Sequence, residues 1–357
     1  MIYYLIGALF PLVAWAINYH AQNKYQLDGA ESVKLKNRLT IFAIVPMFLI
    51  FVFRYKYIGA DTIGYVRFFE QDVRKYSFSE LLNQDLMREE IGFRLYVKVV
   101  SLLTSNYTIY FLINALIIFG TLYRFAKEHT DNPFIFFFLF MTLGMYSFVE
   151  TGLRQTLAMM VCLWAVDFIK NRKPIRFVLL VIIAQFFHKS ALIFLITYPL
   201  SLIKKFDWMF IVYAIIAVVL AVGFGAFHGM FKSLLGYDAY YIDATGNGGI
   251  FMLLIFIFFT FSTFMIHDKP KELKEQNLIV HLSFLTVVFW ILRLISRSAE
   301  RPGYYFNFGL YIYFSQMFKY GKDELFGSVK WLLIIACLVL LIYRNLGVSY
   351  LFFWQGA

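Results

Sequence analysis

Phe177-Val-Leu-Leu-Val-Ile-Ile-Ala-Gln-Phe-Phe187 runs through His188-Lys189-Ser190 into Ala191-Leu-Ile-Phe-Leu-Ile-Thr-Tyr-Pro-Leu200. The apolar flanks are those of a membrane segment, yet a His and a Lys stand between them. A Lys centred in hydrocarbon costs about 2.5–3.5 kcal/mol on insertion scales, so such groups line cavities or substrate paths. The stretch predicts a protein that is more than an anchor, with its chemistry inside or at the edge of the bilayer.

The rest of the chain agrees. Its 357 residues are 61% hydrophobic and 21% aromatic, with a mean hydropathy of +0.68. A soluble domain has too little polar surface to cover that much apolar material. The composition predicts an all-α, polytopic integral membrane protein, its 43 Phe and 25 Tyr suiting lipid-facing surfaces and interfacial belts. Met1 to Ala16 lacks a basic leader and a small-residue cleavage site and reads as a retained helix. Cys162 and Cys337 lie in apolar runs, which points to packing and to neither a disulfide framework nor a metal cage. The net charge of +11 reads as the positive-inside bias of cytoplasmic loops, not as a nucleic-acid surface.

A bilayer core about 30 Å thick takes roughly 20 helical residues to cross. Apolar runs near 1–20, 39–53, 107–125, 133–149, 154–169, 176–187, 190–203, 208–227, 249–266, 277–295, 303–318 and 329–345 predict about 10–13 spanning or re-entrant helices. They read as one transmembrane domain, 1–357, without repeats. Basic clusters at Lys24/Lys34/Lys36/Arg38, Arg124/Lys127, Lys170/Arg172/Lys173/Arg176, Lys204/Lys205, Lys269/Lys271/Lys274 and Lys319/Lys322/Lys330 mark the cytoplasmic side. The parity works if 176–187 and 190–203 form a hairpin of short arms, about 18–21 Å each. His188 then sits at its tip. Both termini and the loops 54–106, 150–153, 228–248 and 296–302 are then expected outside. The loop 54–106 carries many charges of both signs and is expected to be structured. Within it, 91–104 looks amphipathic and suited to the membrane interface.

Polar clusters collect on that outer face. Arg54-Tyr-Lys-Tyr-Ile-Gly59-Ala-Asp61-Thr62-Ile-Gly-Tyr65 offers an arginine and a carboxylate at the surface, or a helix start capped by Asp61. Glu89-Glu90-Ile-Gly92-Phe93 offers a general base, or acidic residues that suit a helix N-terminus. In Glu150-Thr-Gly152-Leu-Arg154-Gln155, Arg154 enters an apolar helix and needs an anionic partner, either Glu150 at i,i+4 or a ligand. Arg293, Arg297 and Arg301 recur every four residues before Pro302, with Glu300 among them. On one helix face they form either a clamp for pyrophosphate or cations that favour a helix C-terminus. His188 reads as a base, a ligand or a structural residue. No second His stands at a metal-binding spacing, and no metal or other cofactor is expected.

Taken in order, Arg54…Gly59-x-Asp61-Thr62-x-x-Tyr65, Glu90-x-Gly92-Phe93, Gly152-x-Arg154-Gln155-x-x-Ala158, Phe187-His188-x-Ser190-Ala191 and Tyr350-x-x-Phe353-Trp354 resemble the EpsG-like branch of the Wzy-type polysaccharide polymerases. The likeness spans nearly the whole chain. It implies a GT-C-like glycosyltransferase of the bacterial inner membrane that joins undecaprenyl-pyrophosphate-linked repeat units of exopolysaccharide, capsule or O-antigen. It implies an active site facing outward, the lipid-linked glycan donor and acceptor as partners, and a possible chain-length regulator. Asp61, Glu90, Arg154 and His188 are the matching positions. The roles follow from chemistry and not from the resemblance: Asp61, Glu90 or His188 is expected as base, with Arg54, Arg154 and the stripe Arg293, Arg297 and Arg301 on the pyrophosphate. Tyr65, Gln155, Tyr237, Tyr240, Tyr241 and Glu300 are expected along the glycan. A membrane O-acyltransferase and a transporter of lipid-linked oligosaccharide are the alternatives. The former uses a buried His, and the latter should carry inverted repeats.

Overall fold

In hydrocarbon every backbone polar group must be satisfied within its own segment, so apolar runs become helices. The computed structural model describes residues 1–26, 29–83, 89–204, 208–223, 249–265, 276–296, 299–320 and 324–356. Nearly all of these are helical, and the one β-pairing among them is an isolated bridge between Arg54 and Phe352. Arg297, Tyr237, Tyr240, Tyr241 and the loop 228–248 lie outside the described residues.

Among the described residues three helices are long and apolar enough to cross a membrane: Ile2–Tyr25, Gly29–Phe53 and Tyr107–His129. A fourth span or re-entrant element is the pair Pro133–Thr142 and Met145–Thr151, bent by 63°. Pro174–Gln185, Lys189–Leu200, Met209–Val222 and Leu278–Arg293 are shorter apolar helices. Pro11 and Pro46 sit inside the first two helices, as membrane helices tolerate. The chain is thus an all-α membrane protein with several candidate spans.

It divides into two compact units, Met1–Met160 with Phe314–Ala357, and Val161–Tyr313. In the first unit the opening helices pack through small residues. Ala8, Ala14 and Ala43 are fully buried, which lets the backbones approach where hydrophobic driving force is weak. Phe10 stacks on Phe42 at 4.9 Å beside them. The bend after Pro133–Thr142 falls on Gly144 at φ 86, where a Cβ would run into the Arg344 guanidinium from the Glu324–Asn345 helix.

The loop that leaves the second helix is organised, as its charge pattern suggests. Thr62–Arg67 is a short helix continued by a π-helical turn over Phe68–Asp72. Ser77 and Glu80 form a reciprocal capping box at Phe78–Leu81. Ser77 bonds hold the Glu80 carboxyl below the usual range. Ile91–Leu103 follows as an amphipathic helix. It buries Phe93, Arg94, Val97 and Val100 on one face and leaves Val99, Leu102 and Leu103 exposed. Arg94 donates from Nη1 to the Asn83 carbonyl at 2.7 Å. The carboxyl-terminal segment crosses the start of this region. Tyr55 N–H donates to the Leu351 carbonyl at 2.8 Å, and Phe353 N–H to the Phe53 carbonyl at 2.9 Å.

In the second unit, Pro174–Gln185 runs up to a turn and the chain doubles back. Phe177 meets Phe194 at 6.1 Å and Tyr198 at 5.4 Å between ring centroids, so the arms lie side by side. His188 stands at the turn, where the sequence puts the hairpin tip. The returning arm is a 3₁₀-helix, Lys189–Ile196, before one α-turn over Thr197–Leu200. Lys189 is exposed, so the reversal lets its ammonium leave the packed interior. Elsewhere, Tyr213 of Met209–Val222 bonds His281 Nδ1 of Gln276–Arg293 at 2.7 Å, and its ring stacks on Phe284 at 4.9 Å.

Gly59 has φ 93, and a Cβ there would lie 2.7 Å from the Glu150 carbonyl oxygen. Gly59→Ala is therefore expected to lose about 1–3 kcal/mol or more, read as a lower unfolding midpoint in detergent. Gly64→Ala, where a Cβ meets nothing within 4 Å, should leave that midpoint unchanged or slightly raised.

Candidate functional site

The polar residues of the first unit fall into a buried layer and an accessible one. Arg54 and Glu150 make the buried layer, at 1% and 2% exposure. The Arg54 guanidinium carbon lies 3.9 Å from the centre of the Phe51 ring and 4.3 Å from that of Phe111. Its Nε and Nη1, and Glu150 Oε1, are without a hydrogen-bond partner. Glu150 Oε2 accepts from the Tyr4 hydroxyl at 2.9 Å. Burial pushes the Arg54 guanidinium below its ordinary range, and Glu150 is the first of the groups that oppose the shift. Arginine stays charged even so. Around the pair, Tyr146 donates to the Met47 carbonyl at 2.9 Å and Tyr350 donates to the Ile50 carbonyl. The Thr62 hydroxyl donates to the Glu150 carbonyl at 2.9 Å, which ties the helix Thr62–Arg67 to the broken span.

Arg154 belongs to the accessible layer. The i,i+4 pair with Glu150 does not form. The helix breaks at Gly152, whose φ −99 and ψ 59 separate Met145–Thr151 from Leu153–Lys170. Arg154 instead pairs with Glu90, Nη1 to Oε2, at 2.7 Å. Tyr65 also hydrogen-bonds Arg154, and Glu89 adds negative charge nearby. The Tyr65 ring packs against Phe93 at 5.6 Å. The Arg154 side chain is 28% exposed and that of Glu90 11%, so this pair, unlike Arg54 and Glu150, can meet a ligand. Asp61 is half-buried at the N-cap position of Thr62–Arg67, but its side chain makes no capping bond. Gln155 is buried. Motifs from 59–65, 90–93 and 152–155 thus converge around one arginine and its carboxylates. Desolvation lowers Arg94 on the neighbouring face, with Glu89 and Glu90 opposing.

The second unit holds its own polar groups. His188 is buried, with Nδ1 2.7 Å from Ser190 Oγ and 3.3 Å from Ser190 N. Ser190 Oγ is 3.1 Å from the Tyr305 hydroxyl. Tyr305 carries no sequence signal, being 115 residues from Ser190 and one aromatic among many. The arginine stripe is not continuous. The helix ends at Arg293, and Arg301 sits half-buried in a separate turn, Glu300–Gly303. Ile295 and Ser296 N–H both return to the Leu292 carbonyl and close the helix there. Arg293 pairs with Glu300 and lies over the Trp290 ring at 5.2 Å. Glu300 is therefore an arginine partner in this structure.

The fold defines an all-α polytopic membrane protein. The chain matches the model of the EpsG family over residues 37–355 and belongs to that family. No curated protein and no solved structure matches it.

Glu150→Ala would strip the Tyr4 hydroxyl of its acceptor and remove the group that most opposes the desolvation of Arg54, and is expected to cost about 1–3 kcal/mol. The double variant Arg54→Ala/Glu150→Ala should cost less than the two single losses added, by about 0.5–3 kcal/mol. Unfolding midpoints of the four proteins in one detergent check the coupling. Strict additivity would show that the two charges do not stabilise one another.

Proposed function

We propose that the chain polymerises lipid-linked oligosaccharide by glycosyl transfer at the outer face of the bacterial inner membrane. The substrates are repeat units on undecaprenyl pyrophosphate. The observation that carries this reading is the accessible Arg154–Glu90 pair with Tyr65, assembled from three separated motifs. Membership of the EpsG family supports the same reading. An arginine fork suits phosphate oxygens. A carboxylate beside it suits a hydroxyl that must lose its proton.

In this mechanism the incoming pyrophosphate draws Arg154 away from Glu90. The released carboxylate, aided by Asp61, takes the proton from a hydroxyl of the acceptor repeat. The hydroxyl oxygen bonds to C1 of the chain on the lipid donor as the C1–O bond to phosphate breaks. The electron pair leaves with the lipid pyrophosphate, and Arg154 neutralises the charge that develops there. With one base and no nucleophilic carboxylate the anomeric centre inverts. Tyr65 lies beside the same arginine and is suited to a sugar face. Arg54, lacking exposed surface, acts as a positioning residue, and a chain-length regulator would act on the product.

The test is turnover in nanodiscs with a purified undecaprenyl-pyrophosphate repeat unit, read as a glycan ladder. Glu90→Gln and Arg154→Ala should each lower ladder formation by about 10²–10⁴-fold, while Glu90→Gln still binds the donor. Full turnover by Glu90→Gln would remove the base assignment. Folded protein that makes no ladder from any of several repeat units would favour transport or acyl transfer.

A further inference from the structure

The helix Ile91–Leu103 has two apolar faces, and the first unit covers one of them. Phe93, Val97 and Val100 are buried, with the Phe93 ring 5.6 Å from that of Tyr65 and 6.2 Å from that of Phe68. On the opposite side Leu95, Val99, Leu102 and Leu103 follow the i, i+4, i+7, i+8 spacing of a single stripe. Val99, Leu102 and Leu103 are 50%, 66% and 74% exposed, and Leu95 is half-buried. The cations nearby are turned to backbone carbonyls. Arg94 donates to that of Asn83 at 2.7 Å, Lys98 to that of Val73 at 3.2 Å, and Arg74 to that of Thr104, at the helix end, at 2.6 Å. Water would satisfy such groups without help, whereas hydrocarbon leaves them only the protein.

One hydrogen bond sets the depth of this helix. The Tyr96 hydroxyl donates to Asn114 Oδ1 at 2.9 Å, and Asn114 is buried in the spanning helix Tyr107–His129. Those 23 residues rise about 34 Å against a hydrocarbon core of about 30 Å. Asn114 stands two turns, about 10 Å, in from Tyr107. It therefore lies about 6 Å inside hydrocarbon even if the whole excess projects on its own side. A tyrosine is too short to reach it from a helix standing clear of the membrane. Interfacial helices sink an apolar face by about 5–10 Å, which matches.

We propose that Ile91–Leu103 lies in the membrane surface, with Leu95, Val99, Leu102 and Leu103 among the acyl chains of the bilayer, and that it opens the Arg154–Glu90 pair sideways to lipid-borne phosphate. Glu90 is the N-cap of this helix, and Leu95 follows it by about 7.5 Å along the axis. A phosphate whose tail runs beside Leu95 meets the Arg154 fork without leaving the bilayer. The seating of the helix stands on geometry, while the access route rests on the function proposed above.

The full-length protein in nanodiscs tests both parts. Nitroxides are attached at Val99→Cys, Leu102→Cys and Leu103→Cys, with Leu116→Cys on the spanning helix as lipid reference and Lys34→Cys as aqueous reference. Cys162 and Cys337 are buried, so the unsubstituted chain serves as the blank. At the three stripe positions oxygen should relax the label and a water-soluble nickel chelate should not, as at Leu116. Relaxation by nickel would put the stripe in water, and protection from both probes would put a protein partner over it. Either result overturns the proposal. The second measurement is turnover by Leu102→Gln/Leu103→Gln, at the far end of the helix from Glu90. Its KM for the undecaprenyl-linked donor should rise about tenfold at unchanged kcat, while a short-tailed, water-soluble pyrophosphate donor is used as before. An unchanged KM, or equal loss on both donors, would reject the access route. A native protein that makes no ladder would overturn the polymerase reading and the access route with it, and the spin labels would decide the seating of the helix alone.

Discussion

An arginine and a glutamate, each within the other's electrostatic reach, lie buried in the first unit, and neighbouring groups make this tolerable. Arg54 comes from the exit of the second helix and Glu150 from the short arm of the broken span. Neither reaches solvent. A lone charge at that depth is penalised by several kcal/mol, and the attraction of its partner offsets this only when other groups share the load. Here two Phe faces hold the guanidinium and a tyrosine hydroxyl holds one carboxylate oxygen. The carbonyl of Glu150 takes the Thr62 hydroxyl, so the helix carrying Asp61 and Tyr65 is set against the same centre.

The surface cluster depends on that arrangement. Gly59 can lie on the Glu150 backbone only because it has no Cβ, and the turn it makes leads into the helix that presents Tyr65. Gly152 ends the arm that carries Glu150 and starts the helix that carries Arg154. One break therefore sends one charge inward and the other outward. Two arginines that look alike in sequence acquire different work, one holding the fold together and one available to a ligand.

Hydropathy made the helices legible, and the polar interruption at 188–190 marked a reversal because a Lys there could not remain inside a straight span. The amphipathic pattern of 91–104 also survived in three dimensions. What misled was the assumption that a helix continues. Spacing of four residues pairs Glu150 with Arg154 and stacks Arg293 with Arg301 only if the backbone between them stays helical. It does not at Gly152, nor beyond Arg293. The real partners, Glu90 for Arg154 and Glu300 for Arg293, follow from where the breaks bring the chain. Tyr305 was invisible for a related reason. A hydroxyl that meets a distant serine leaves no periodic trace, and the Tyr-rich composition hides it among residues that merely pack.

The carboxyl-terminal clasp sets an order of assembly. The first unit is built from 1–160 and 314–357, so its last piece leaves the ribosome after the whole second unit. Until then the backbone at Phe53 and Tyr55 lacks Phe353 and Leu351, and the Ile50 carbonyl lacks Tyr350. A nascent chain halted short of residue 350 would carry an open seam beside the buried Arg54. The first unit therefore closes only after the second has been made, because its two pieces are separated in the chain by residues 161–313.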